Sequence, residues 1–179
     1  MSSPVATAPT AAPMSTDRKR PLLLVAGVFL LGLMAGVFFA FACAVMPGLS
    51  GSTDRTMVEG MQKINAAIEN PLFLLAFAGA LLLPAIVLYQ ERKGDRSELR
   101  RFLIAAVALY AVALLITFAV DIPLNEELKD AGNPAHIHDL ATVRDNFVGP
   151  WVAGNIARTV ATAAAFACAA WALVVGERE

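Results

Sequence analysis

The chain has 179 residues, 58% of them hydrophobic and 16% charged, with 14 basic against 15 acidic side chains and a formal net charge of −1. Soluble domains are about 25% charged, so this composition points to a membrane protein, and the near-zero balance leaves no basic excess to attract nucleic acid. Two cysteines cannot build a disulfide scaffold or a four-ligand zinc site, and the length suits one domain.

Residues 1–20 mix Pro4, Pro9 and Pro13 with Ala, Ser and Thr and end in Asp17-Arg18-Lys19-Arg20. Such a stretch buries too little apolar surface to offset its ordering entropy and reads as a disordered tail, leaving 21–179 as a single membrane domain. From Pro21 to Met46 there is no charge, and this length spans a bilayer core of about 30 Å with some tilt. A cleaved signal peptide is disfavoured, because its apolar core would be about 7–15 residues. Gly32, Gly36 and Ala40 recur at fourfold spacing, the small-xxx-small pattern of close helix packing. That pattern serves packing within the chain or a homodimer seam.

The first loop carries Thr56-Met57-Val58-Glu59, which fits a capping box, followed by Met57, Met61, Ile64 and Ile68 at helical spacing. A short amphipathic helix lying on the outer surface is expected, with Asn65 on it. Asn70-Pro71 then reads as N-cap and first residue of the second span, 71–89, in which Pro84 should introduce a kink. The third span covers 102–120 and the fourth 151–176. Four spans with short connections predict an all-α, four-helix transmembrane bundle, since helices satisfy their own backbone groups in lipid.

Sorting the charges orients it. Nine Lys and Arg fall in the tail, the second loop and the C-terminus against four in the first and third loops, giving +3 on one face and −5 on the other. The positive-inside rule puts both termini in the cytoplasm and the protein in the cytoplasmic membrane. The remaining positive charge is Arg158, about 10 Å along the fourth helix from Trp151. A central arginine costs about 2.5–3.5 kcal/mol on insertion scales, so it must either snorkel or find partners. Trp151, Asn155, Arg158 and Thr162 recur at i, i+4, i+7 and i+11, a polar face that should look into the bundle. Asp121, at the end of the third span, is the natural countercharge; its alternative role is ordinary helix-end solvation.

Several chemistries are disfavoured. The histidines, His136 and His138, lie in the third loop, where a haem between spans could not use them, and with Asp139 they make a weak metal signal. Cys43 and Cys168 fall at opposite depths, too far apart to pair. No phosphate loop, dinucleotide fingerprint or nucleophile elbow is present.

Four motifs occur in order: Met46-Pro47-Gly48-Leu49, Ile64-Asn65-Ala66-Ala67-Ile68-Glu69-Asn70-Pro71, Asp121-Ile122-Pro123-Leu124-Asn125 and Trp151-Val152-Ala153-Gly154-Asn155-Ile156-Ala157-Arg158. Together they resemble the anthrone oxygenase-like family of small integral membrane proteins, over roughly residues 30 to 160. The resemblance implies a monooxygenase that needs no cofactor or metal, acting on an apolar aromatic or phenolic molecule and dioxygen at the outer leaflet. It further implies Asp121 as base, Arg158 as anion stabiliser, and Asn65, Asn125, Trp151 and Asn155 as substrate-binding residues, with the third loop as a lid. The alternative is a non-enzymatic membrane protein in which the Asn, Asp and Arg cluster locks helix ends together.

Overall fold

A computed structural model describes residues 16–178, so most of the predicted tail lies outside the described residues. The chain begins with α1 (Thr16–Ala40), which passes through a π-helical turn (Phe41–Val45) into α2 (Met46–Ser50). After α3 (Asp54–Ile68) come α4 (Pro71–Gln90), a 3₁₀ turn (Glu91–Lys93) and α5 (Ser97–Ile116). A second π-helical turn (Thr117–Asp121) leads into α6 (Ile122–Asp130), and α7 (Leu140–Gly176) completes the chain. Among the described residues there is no strand, and four helical stretches are long and apolar enough to cross a membrane.

The four long helices form a closed ring in which α1 packs on α4, α4 on α5, α5 on α7 and α7 on α1. Small residues make the contacts close. Ala161, Ala165, Ala169 and Ala172 line the buried face of α7, opposite Ala106 and Ala113 of α5, while Ala76 and Ala80 do the same on α4. In lipid no hydrophobic drive favours helix association, so close van der Waals packing of this kind carries much of the stability. On α1 a Cβ at Gly27 would come within 2.9 Å of Pro84, and one at Gly32 within 3.2 Å of Phe166. Gly32 therefore packs inside the bundle, whereas Gly36 and Ala40 are exposed. Large apolar side chains such as Phe29, Leu75, Leu115 and Val160 point outward, where acyl chains would meet them.

Three expected boundaries shift. The first helix starts at Thr16, taking in five residues assigned to the tail. The third span does not stop at Asp121; the chain stays helical through Pro123 to Asp130. The fourth helix starts at Leu140, eleven residues before Trp151, because the Asp139 carboxylate accepts from the Thr142 amide at 3.0 Å. That amide and the Thr142 hydroxyl hold the Asp139 carboxyl below the usual range. The amphipathic helix is present as α3, but its cap is Thr53, whose hydroxyl accepts from the Thr56 amide; Thr56 is inside the helix. Asn70 caps α4 as expected, accepting from the Phe73 amide at 3.0 Å.

The prolines explain part of the π turns. A helical proline collides with the carbonyl four residues back, which is Cys43 for Pro47 and Ala119 for Pro123, each the middle residue of its π turn. Widening the turn relieves that collision. Yet Pro84 and Pro150 sit in unbroken α-helix, so proline alone does not dictate the π geometry. What the two π turns share is their place, at the same end of the bundle beside the polar residues described next.

Candidate functional site

The α3 helix closes the end of the bundle that carries the π turns. Met57, Val58 and Met61 bury against Met46, Leu128, Phe147 and Trp151. Two side chains then fix its register. Arg144 at the start of α7 donates to Asp54 Oδ1 at 2.7 Å and to the Ser50 carbonyl at 2.6 Å, while Gln62 donates to the carbonyls of Leu128 and Gly132. These ties hold α3 where Asn65, on its next turn, lines a cavity.

This cavity has a volume of about 370 Å³. Its walls are aromatic and aliphatic, including Phe38, Phe41, Phe73, Phe77, Phe118 and Ile68. Its polar groups are few: Asn65, Glu69, Thr117, Asp121, Asn125 and Arg158, with Trp151 beside them. Sites for small molecules have this make-up, a volume of about 300–1,000 Å³ and a handful of placed polar groups in an apolar wall. Leu74, Phe118 and Ile122 line the cavity and are also exposed on the outer face between α4 and α5, so the cavity reaches the lipid-facing surface.

Asp121 is the last residue of the second π turn and is 0% exposed; Arg158 on α7 is 7% exposed. Their closest atoms, Arg158 Nη1 and Asp121 Oδ2, are 3.4 Å apart, close enough to pair but longer than the 2.7–2.9 Å of a strong charge-assisted hydrogen bond. The guanidinium has other holders. Its Nε donates to Asn155 Oδ1 at 3.2 Å, Nη1 reaches Thr117 Oγ1 at 3.5 Å, and its face lies 4.4 Å from the Phe38 ring centre and 5.2 Å from that of Trp151. Asn155 in turn donates to the Phe38 carbonyl, one turn before the first π segment. Burial of an arginine is thus compensated by one carboxylate, two neutral acceptors and two aromatic faces.

Asp121 is less well provided for. Neither of its oxygens has a hydrogen-bond donor, although both are buried, and the Asn65 amide nitrogen and the Thr162 hydroxyl are also buried without partners. Buried polar groups are nearly always satisfied, and each exception asks for a reason. Asp121 and Asn65 both line the cavity, so a molecule inside it could satisfy both.

The structure brings Asn65, Asp121, Asn125, Trp151 and Arg158 around one cavity. Asn155 stands behind Arg158 instead, its amide spent on the Phe38 carbonyl and its oxygen on Arg158. Asn125 Oδ1 accepts from the Trp151 indole at 2.9 Å, which fixes the ring against Phe147 and Phe41. Of the segment between the third and fourth spans, Asp121, Ile122 and Asn125 line the cavity while the turn at Gly132-Asn133-Pro134 does not, and α3 adds Asn65, Ile68 and Glu69. His136 and His138 are exposed in that loop, and among the described residues no group of three His, Cys, Asp or Glu could hold a metal ion. The aromatic wall from α1 and α4 was not singled out from sequence, because Phe38, Phe73 and Phe77 sit in uniformly apolar spans with no periodic signal.

Gly154 is the other residue that sequence reasoning passed over. A Cβ there would lie 3.2 Å from Val120 and 3.3 Å from Asp121 Oδ1. The missing side chain lets α7 meet the second π turn and seats the carboxylate. Gly154→Val should therefore displace Asp121, lowering the thermal midpoint in detergent and weakening any ligand that needs the carboxylate, with Gly154→Ala intermediate. Unchanged stability and binding in Gly154→Val would show that the contact matters to neither.

A family model described as Anthrone oxygenase matches residues 61–168. The match covers α3 from Met61 to most of α7 and includes Asn65, Asp121, Asn125, Trp151, Asn155 and Arg158, while Phe38 and Phe41 on α1 lie outside it. No curated protein and no solved structure matches the chain.

Proposed function

This chain belongs to the anthrone oxygenase family, and we propose that it is a cofactor-independent monooxygenase acting on an apolar, phenolic aromatic molecule dissolved in the membrane. The observation that carries the reading is the buried Asp121 carboxylate, without a hydrogen-bond donor, facing an aromatic-walled cavity beside a buried guanidinium. A substrate hydroxyl or acidic C–H would meet Asp121, and a carbonyl or phenolate oxygen would meet Arg158 and the unpartnered Asn65 amide.

The chemistry closes without further reagents. An anthrone carries a benzylic methylene made acidic by its carbonyl. Asp121 accepts one proton, and the resulting phenolate-like anion is stabilised by Arg158 through charge developed in a water-poor site. The electron-rich carbon reduces dioxygen and bonds to one of its oxygens, giving a peroxide that takes its proton back from Asp121. Loss of water then breaks the O–O bond, removes the remaining C–H hydrogen and leaves a quinone carbonyl. One substrate and one dioxygen give one quinone and one water, so the substrate supplies all the electrons. Asn155 acts behind the site by holding Arg158, and Trp151 and Phe38 flank the cation. The loop charges favour cytoplasmic termini, which sets the cavity toward the outer leaflet; labelling of a His136→Cys variant by a membrane-impermeant reagent from the cytoplasmic side would reverse this orientation.

A second reading has its own observation. Arg158, Asn155 and Thr117 link α7 to the second π turn and to the Phe38 carbonyl of α1, as a purely structural cluster would. Turnover separates the two. Purified protein in lipid nanodiscs with anthrone and dissolved oxygen should form the quinone above the spontaneous rate, and formation at the spontaneous rate alone would remove the anthrone assignment.

A further inference from the structure

A second built cavity lies at the opposite end of the bundle, independent of the proposed oxygenase. It occupies about 510 Å³ where α1, α4, α5 and α7 meet, and it holds both ends of the membrane domain, since Arg20 and Glu177 line it together. Its wall is apolar: Pro21, Leu24 and Val25 from α1, Leu99 from α5 and Leu173 from α7. Its head is ionic. Glu91, only 3% exposed, accepts from Arg20 at 3.1 Å and stands 3.9 Å from Arg96.

One buried carboxylate thus serves two guanidinium groups and leaves donors over. The Arg20 Nε is buried with no acceptor. Arg96 stands at the N-cap of α5, where no side chain caps the helix and the dipole favours a negative group rather than a cation. The turn before α5 and its first residues add Arg92, Lys93, Arg100 and Arg101 against Asp95 and Glu98; Glu177 at the rim is exposed. Val25 and Pro21 are exposed on the lipid-facing side of the same cavity, so the apolar wall opens where acyl chains run.

We propose that this cavity binds an anionic phospholipid, its phosphate on Arg20 and Arg96 and the start of its acyl chains against Leu24, Val25 and Leu173. Guanidinium groups match phosphate oxygens in pairs, and basic pockets between membrane helices are suited to anionic headgroups. The shared chemistry is a phosphate anion; the apolar wall assigns it to a lipid rather than to free phosphate. Glu91 sets the strength of the site by occupying part of the guanidinium donor set.

Native mass spectrometry of the full chain released from nanodiscs tests this, using equal phosphatidylglycerol and phosphatidylcholine. Phosphatidylglycerol should be retained in preference by about tenfold or more, and 10 mM inorganic phosphate, on the order of a bulk competitor, should not displace it. Arg20→Gln and Arg96→Gln should each weaken retention about fivefold, and Glu91→Gln should strengthen it, a direction that loss of a merely structural ion pair would not give. Equal retention of the two lipids by the wild-type protein would overturn the proposal, even if the variants fail to fold. Displacement by inorganic phosphate would overturn the lipid assignment. Unchanged retention in folded arginine variants would overturn the assigned residues.

Discussion

Arg158→Met is expected to destabilise the bundle by about 3–5 kcal/mol, read as a large drop in the unfolding midpoint in detergent. Among the described residues, the change removes the one cation within salt-bridge distance of Asp121, leaves that carboxylate at 0% exposure with no donor, and frees Asn155 Oδ1. The double variant Arg158→Met, Asp121→Leu should recover most of the loss, because no uncompensated charge remains and the apolar walls of Phe38 and Trp151 accept the new side chains. Arg158→Lys should fall between them: the charge survives, but a lysine has no Nε to give Asn155 and no flat face for the two rings. A single variant as stable as the wild-type protein would mean that the pair is solvated in a way the buried geometry does not allow.

The second large effect is chemical. Asp121→Asn takes the countercharge from Arg158 but keeps the shape of the side chain and an oxygen partner, and Asn155, Thr117 and the two rings still hold the guanidinium, so it should cost less stability than Arg158→Met. The fold should survive. Turnover should fall about 10²–10⁴-fold, the range that a positioned base contributes. The two substitutions thus divide the readings: a structural cluster predicts that stability follows Asp121 and Arg158 with no turnover to lose, whereas an oxygenase predicts that Asp121→Asn separates folding from activity.

Much of the fold could be read from the residues, because lipid imposes simple demands. Uncharged runs of the right length had to be helices, and Asn70-Pro71 marked the start of α4 by its chemistry. The spacing of Trp151, Asn155, Arg158 and Thr162 likewise predicted a buried polar face, and all four are buried. The misread elements depended on tertiary context. Pro123 resembles a helix stop, yet the π turn before it absorbs the collision and the chain continues to Asp130. Thr53 and Thr56 both suit an N-cap; the cap is Thr53, and Asp54 in the first turn is held by Arg144 from a distant helix.

The site was legible in its charges and not in its walls. Asp121 and Arg158 stand out because ionisable residues are costly in a membrane. The phenylalanines that shape the cavity do not, since apolar residues are the default there and their inward direction depends on packing. Gly154 gave no sign of its role either; only the approach of α7 to the second π turn shows why a side chain is absent. The paired π turns are the strongest link between fold and site. They place Asp121 and the Phe38 carbonyl turn at the same level, and π turns inside α-helices often occur at functional sites.

The central claim is that Asp121 faces the cavity to act on a bound molecule. Its most direct test is oxygen consumption and quinone formation from anthrone in nanodiscs by the wild-type protein and by folded, monodisperse Asp121→Asn at equal concentration. The account predicts stoichiometric oxygen uptake by the wild-type protein and a rate at least about 10²-fold lower in the variant; equal rates in the two would contradict it.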